Sequence, residues 1–137
     1  MIEPFHERTT AHGLTFGLGP AGYDLRIKDR LSLLPSAHSL AITVERLHMP
    51  NDVQAKVADK STWARRFLSV ANTVIDPGFD GYLTLEITNH SYRIVNIEAG
   101  SPICQLIFFK LDEPTELPYG GKYQGAGPEP QEAILEG

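Results

Sequence analysis

In Ser39-Leu40-Ala41-Ile42-Thr43-Val44-Glu45, large apolar side chains fall on every second position. Val53, Ala55 and Val57 repeat that spacing, and Leu83, Leu85 and Ile87 alternate with Thr84, Glu86 and Thr88. A period of two sends successive side chains to opposite faces, so each segment predicts a strand with one apolar and one polar face. Ile103 to Leu111 is almost continuously apolar, which predicts a strand buried on both faces. Met49-Pro50-Asn51-Asp52, Asp76-Pro77-Gly78, Asn89-His90-Ser91 and Ala99-Gly100-Ser101-Pro102 supply turns between the runs. Many short strands joined by such turns predict an all-β domain, a jelly roll or barrel. One segment leaves the pattern: Ser61 to Arg66 reads as a short helix, with Ser61 as its cap.

Composition narrows this picture only slightly. A chain of 137 residues fits one domain, 1–137, and a domain of this size builds a core without staples. The stretch 117–137 stands apart, because it is rich in Gly, Pro, Gln and Glu and poor in apolar residues. It reads either as a frayed tail or as a flexible arm that orders over a ligand or a neighbouring subunit. No apolar run approaches the ~20 residues that cross a bilayer, and the start lacks the basic-then-apolar pattern of a leader. The expectation is a cytoplasmic protein with no membrane partner. The single cysteine, Cys104, lies among Ile103, Leu106 and Ile107 and reads as a small buried side chain. A net charge of −5 argues against wrapping nucleic acid, which requires many Lys and Arg. A small polyanion is still compatible, through a few local cations or a bridging Mg²⁺.

Candidate chemistry begins with absences. The His-x-Glu and Pro-Cys-x-x-Cys of zinc-dependent base deaminases are missing, as are the P-loop and Gly-x-Ser-x-Gly. His6, His12, His38, His48 and His90 lack metal-ligand spacing. Among the positive signals, Ala21-Gly22-Tyr23-Asp24-Leu25 sets an acid after a glycine at a strand start. Lys60-Ser61-Thr62-Trp63-Ala64-Arg65-Arg66 gathers three cations and two hydroxyls at a helix start, a combination suited to phosphate oxygens. In Ile75-Asp76-Pro77-Gly78-Phe79-Asp80-Gly81, Asp76 suits a sugar hydroxyl and Phe79 suits packing on a deoxyribose. Glu86 lies on a polar strand face, and where that face lines a pocket its carboxylate is able to activate water.

In this order the segments resemble the dCTP deaminase and trimeric dUTPase superfamily. Ala21–Leu25, Lys60–Arg65 and Ile75–Gly81 look like its first three motifs. Gly100–Leu106 looks like the fourth, and Gly121-Lys122-Tyr123-Gln124-Gly125 like the C-terminal motif of the deaminase branch. Thr84-Leu85-Glu86 also matches that branch, whereas typical trimeric dUTPases lack the glutamate. Departures occur at Arg66-Phe67, where relatives carry an apolar residue and a glycine. They also occur at Asn72-Thr73-Val74, where the base is read, and at Glu129, near the expected phosphates.

The resemblance implies a distorted β jelly roll, a homotrimer with active sites between subunits, and Mg²⁺ carried on the triphosphate with no zinc. It implies conversion of dCTP to dUTP and ammonia in pyrimidine deoxynucleotide metabolism. Glu86 would move protons, while Ser61 and Arg65 would position water and stabilise charge. Asp76 would hold the sugar 3′-hydroxyl and Asn72 would stand by the base. Lys60, Gln105, Lys122 and Gln124 would address phosphates, and Thr62, Phe79, Tyr119 and Tyr123 would complete the nucleotide contacts. The alternatives are dUTP hydrolysis, alone or following deamination, with Asp76 orienting the water, and a silent nucleotide-binding regulator.

Overall fold

The computed structural model describes residues 1–136. Twelve strands and one helical turn follow the chain as β1 (Ile2–Glu3), β2 (Thr9–Ala11), β3 (Leu14–Leu18), β4 (Gly22–Arg26), β5 (Leu31–Leu33), β6 (His38–His48), β7 (Val53–Asp59), α1 (Ser61–Ala64), β8 (Leu68–Val70), β9 (Val74–Ile75), β10 (Asp80–Asn89), β11 (Val95–Ile97) and β12 (Pro102–Lys110). The strands form a four-stranded sheet in the order β1-β6-β10-β8 and a six-stranded sheet in the order β2-β3-β4-β12-β7-β9, with β11 and β5 pairing alone. The arrangement is jelly-roll-like, with sheets that do not close into a barrel. No helix among the described residues is long and apolar enough to cross a membrane.

The alternating segments become β6, β7 and β10. Their inward side chains join one core with the other strands. Leu25, Leu47, Leu85, Ile87, Ile97, Ile103 and Leu106 are fully buried in it. Cys104 is also buried there, and desolvation pushes its thiol up. The continuous run in β12 is buried on both faces only over its first half, because Ile107 and Phe109 reach 38% and 49% exposure. The partner strands β4 and β7 flank β12 along its edges, yet among the described residues nothing covers the outer face of its last residues.

Two local features shape the surroundings of the candidate site residues. The first is an irregularity in the β6–β10 ladder. Tyr82 pairs with Arg46 and Thr84 with Ile42, so Thr43, Val44 and Glu45 all lie opposite Leu83. A bulge of this kind re-aims side chains. Here the Thr43 hydroxyl accepts the freed Leu83 N–H at 3.1 Å, and Glu45 turns towards β4 in the other sheet. The Glu45 carboxylate accepts the Arg26 backbone N–H at 2.8 Å and faces the Arg26 guanidinium at 3.3 Å. Among the described residues it is the one buried acidic residue, and burial raises its pKa from 4.5 to about 7 despite the bonds from Arg26.

The second feature is α1. It is a single turn, anchored by Trp63, whose indole N–H donates to the Pro102 carbonyl at 2.7 Å. Ser61 is its first residue and not its cap; Lys60 takes the cap position and no side-chain bond closes the turn. After α1 the chain turns through Phe67 at φ 64°, 65% exposed. That is one of the two positions where the sequence departs from the pattern the resemblance implies, which has a glycine after an apolar residue. A left-handed conformation costs a side-chain-bearing residue about 1–2 kcal/mol, and the bonds Phe67 N–H to Ala64 and His90 N–H to Phe67 hold it there.

Candidate active site

Glu86 and Asp76 open into one cleft of about 840 Å³. The four-stranded sheet supplies its floor through His38 and Leu40 of β6 and through Tyr82, Thr84 and Glu86 of β10. The 72–76 segment forms one wall, and the C-terminal stretch forms the other. Glu86 is exposed in the single chain, yet partial desolvation still raises its carboxyl above the ordinary carboxylate value. A carboxylate shifted this way is better matched to taking and returning a proton near neutral pH.

Asn72 faces the same cleft, but its amide is engaged at both ends. Its Nδ2 donates to the Thr84 carbonyl at 2.8 Å, and its Oδ1 accepts the Glu86 N–H at 3.0 Å. With the Ala71 N–H to Glu86 carbonyl bond, Asn72 therefore acts as a backbone partner for β10 and fixes the segment that carries Glu86. Phe79 is buried beneath Tyr119, with ring centroids 5.7 Å apart in an edge arrangement. The structure thus uses that ring to seat the tail as well as to line the cleft.

The 117–136 stretch lies across its own chain's cleft. Tyr119 N–H donates to the Pro77 carbonyl, Gly125 N–H to Asp80, and Tyr82 N–H to Ala126. Gly81 and Ala126 form a parallel bridge, and a side chain at Gly81 would meet the Ala126 backbone at 2.8 Å. Gln124 is a staple: its Oε1 accepts the Asp80 N–H, and its Nε2 donates to Gly78 and Tyr119 carbonyls. Further along, the Gln131 N–H reaches the Thr84 hydroxyl and the Ile134 N–H reaches the Tyr123 hydroxyl. Lys122 lines the cleft and pairs with Glu136 at 3.1 Å. Glu129 is held by Lys28 at 3.1 Å.

Lys60, Ser61 and Gln105 line a different cleft of about 490 Å³, on the six-stranded sheet, with Asp24, Asp59 and the 19–22 loop. Lys60 is nearly buried, and its amine lies 2.7 Å from the Asp24 carboxylate. Gln105 donates to the Asp59 carbonyl at 3.2 Å, and Asp59 accepts the Val70 N–H at 2.8 Å. Gly22 is needed here because a Cβ would meet the Leu106 carbonyl oxygen at 2.7 Å. Arg65 is exposed at the end of α1, and Thr62 is half-buried within it. One chain therefore brings Glu86, Asn72, Asp76, Phe79, Tyr119, Lys122 and Tyr123 to one cleft, and Lys60, Ser61 and Gln105 to another. Among the described residues no group of three or more His, Cys, Asp or Glu is placed to hold a metal ion.

A model of the dCTP deaminase-like family matches residues 24–111, which run from the Asp24 of one cleft through the Glu86 of the other. The chain belongs to the dCTP deaminase-like family. Within it, the chain is 36% identical to a dCTP deaminase of Thermococcus sibiricus over 92% of its own length and 85% of the relative's. A dCTP deaminase of Acidobacterium capsulatum is 32% identical over 90% and 86%. Among solved structures, the native EIAV dUTPase superposes with a TM-score of 0.65 at 20% identity, covering 87% of this chain and 96% of that one. A mutant dUTPase from phage phi11 of Staphylococcus aureus, described for its coordination of a structural Mg(II) ion, gives 0.65 at 16% identity over 89% and 97%. These likenesses establish a dUTPase-like fold for this member of the dCTP deaminase-like family.

Sequence patterns missed three features of this family member. Glu45 looked like one more polar residue of an alternating strand, yet it lies on the same buried side of β6 as Ala41, Thr43 and Leu47. Arg8 lies outside every motif, yet it lines the Lys60 cleft. The tail residues Gln131, Glu132 and Glu136 border the Glu86 cleft, although composition there suggests only an arm.

Proposed function

We propose that the protein deaminates dCTP to dUTP and ammonia without zinc, in pyrimidine deoxynucleotide metabolism. The observation that carries this reading is Glu86, whose carboxyl is raised by partial burial and which is fixed by Asn72 in a cleft large enough for a nucleoside. Glu86 takes a proton from water as the water oxygen bonds to C4 of cytosine, and passes it to the ring nitrogen. In the second half it takes the proton of the new C4 hydroxyl and delivers it to the amino group, so that the C–N bond breaks as the C4 carbonyl forms, and ammonia leaves. Asp76 holds the sugar hydroxyl. Lys60, Gln105 and Lys122 address phosphates, and Tyr119, Tyr123 and Gln124 keep the tail over the nucleotide.

Ser61 and Arg65 stabilise charge at the reacting carbon from a neighbouring copy, because within one chain Ser61 lines the other cleft. This division favours a homotrimer with sites between subunits. Asp24 is engaged by Lys60 and Asp59 by the Val70 N–H, so the donor set suits Mg²⁺ that is held by the triphosphate's own oxygens. When bound there, the ion would neutralise phosphate charge.

Incubation of the purified protein with dCTP or dUTP and Mg²⁺, followed by resolution of dUTP, dUMP, pyrophosphate and ammonia, tests the activity. Ammonia and dUTP are expected from dCTP, and their absence at high enzyme concentration sinks the proposal. Pyrophosphate from dUTP alone selects a dUTPase, the activity named for the fold neighbours. Tight binding without products selects a regulator. Mixing Glu86→Gln with Ser61→Ala protein tests the shared site. Two inactive preparations are expected to recover activity on subunit exchange, and no recovery after confirmed exchange contradicts it.

A further inference from the structure

The Lys60 cleft contains a cation that belongs to none of the motifs. Arg8 lines it, together with Thr15, from the segment leading into the β2–β3 hairpin. The formal charges on the cleft wall balance, with Arg8 and Lys60 opposed by Asp24 and Asp59. They are not equivalent. Lys60 gives its amine to Asp24 at 2.7 Å and to the Thr15 hydroxyl at 3.3 Å. Among the described residues, Arg8 has no ion pair or side-chain hydrogen bond, and it is exposed. An anion entering this cleft therefore meets one cation already neutralised and one unengaged. A guanidinium also presents two parallel N–H donors that fit a phosphate, which a lysine does not.

The position of Arg8 is built, not incidental. The preceding His6 donates its N–H to the Tyr23 hydroxyl at 2.9 Å, and its carbonyl accepts the Leu18 N–H at 3.1 Å. The segment crosses directly over Gly17, at φ +86°, where a Cβ would lie 2.6 Å from the Glu7 carbonyl oxygen and 2.7 Å from that of His6. On the other side, Thr9 begins β2 and pairs with Phe16 of β3. Arg8 is thus held between a backbone crossing that needs glycine and the first rung of a hairpin. That hairpin also delivers Thr15 to the Lys60 amine.

We propose that Arg8 is a phosphate-binding residue for the nucleotide, and that the β2–β3 hairpin exists in part to bring it there. The inference rests on the reading of this cleft as the phosphate end of the site. Its test uses full-length Arg8→Gln and Arg8→Lys proteins, with dCTP kinetics and with calorimetric titration of inorganic tripolyphosphate. For Arg8→Gln we expect the KM for dCTP to rise on the order of tenfold with kcat within about twofold, the cost of one charge-assisted contact. Tripolyphosphate affinity should fall by a similar factor, and Arg8→Lys should recover part of both. A KM and a tripolyphosphate affinity within twofold of the parent overturn the assignment. The two readings fail separately. Deamination with unchanged KM in Arg8→Gln removes the role of Arg8 alone, whereas lost tripolyphosphate binding in a protein that never deaminates dCTP leaves Arg8 in place and removes the activity.

Discussion

The two clefts of this chain are built on different sheets and solve different electrostatic problems. The Glu86 cleft keeps a carboxylate partly dry, with no cation paired to it among the described residues, so its proton affinity rises. The Lys60 cleft does the opposite: each of its two acids has a fixed donor, Lys60 for Asp24 and the Val70 N–H for Asp59. A group that must exchange protons gains from lacking a partner, whereas a wall that must receive an anion gains from having its acids quenched. Glu86 and Lys122 line one face, whereas Lys60, Ser61 and Gln105 line another that one chain does not bring to it.

The largest test of this contrast is Glu86→Gln. Loss of a proton carrier costs on the order of a thousandfold in turnover, and ammonia release from dCTP should fall by that factor while calorimetry shows dCTP binding within a few-fold. Ammonia release near the parent rate would mean the dry carboxylate is not the proton carrier. Next is the tie between the sheets. Glu45 is protonated more readily when folded, about 7 against 4.5, so the folded state binds more protons between those values. Its contribution to stability is fully present below pH 4.5 and is lost as pH rises through about 7, a difference of about 3 kcal/mol. Denaturant melts of Glu45→Gln across this window should show a flatter pH dependence than the parent, and parallel curves would contradict the assignment.

Lys60→Met probes the quenched wall. It leaves Asp24 without its cation in a site only one-fifth exposed. The loss should be about 1–2 kcal/mol, below that of a fully buried broken pair, and Asp24→Asn in the same background should restore most of it. The smallest effect is expected on the connection that carries the chain from one sheet to the other. Phe67→Gly removes a left-handed strain at an exposed residue and should raise stability by about 1 kcal/mol. A lower melting temperature would show that the ring contributes packing that outweighs the strain.

Period-two patterning was sufficient to place β7 and β10, whose buried residues alternate, and to mark β6 as a strand, but in β6 Ala41, Ile42 and Thr43 are buried in succession while Leu40 and Val44 are only half-buried. Its buried side is that of Ala41, Thr43, Glu45 and Leu47 and not that of Leu40 and Val44, so the spacing of the large apolar residues does not reveal the burial of Glu45. The shared placement of Glu86 and Asp76 was legible because motif order put them on adjacent segments, and these border one cleft. Ser61, in the same ordered set, ended on the other cleft, since order along the chain does not say which face of the fold a group lines. Gln124 and Asn72 show another limit. An amide is equally able to bind a ligand or a backbone, and here local geometry directs both to backbone groups. Arg8 had no signal at all, because the crossing over Gly17 depends on tertiary packing.

The burial of Cys104 has a practical consequence. The chain has one thiol, fully enclosed and with its ionisation suppressed, and thiolate is the form that reacts with alkylating reagents. To such reagents the folded protein is silent, so a cysteine introduced by Glu132→Cys at the rim of the Glu86 cleft would be labelled alone. An environment-sensitive dye there would follow, in real time and without altering the native thiol, whether the C-terminal stretch lifts when nucleotide enters.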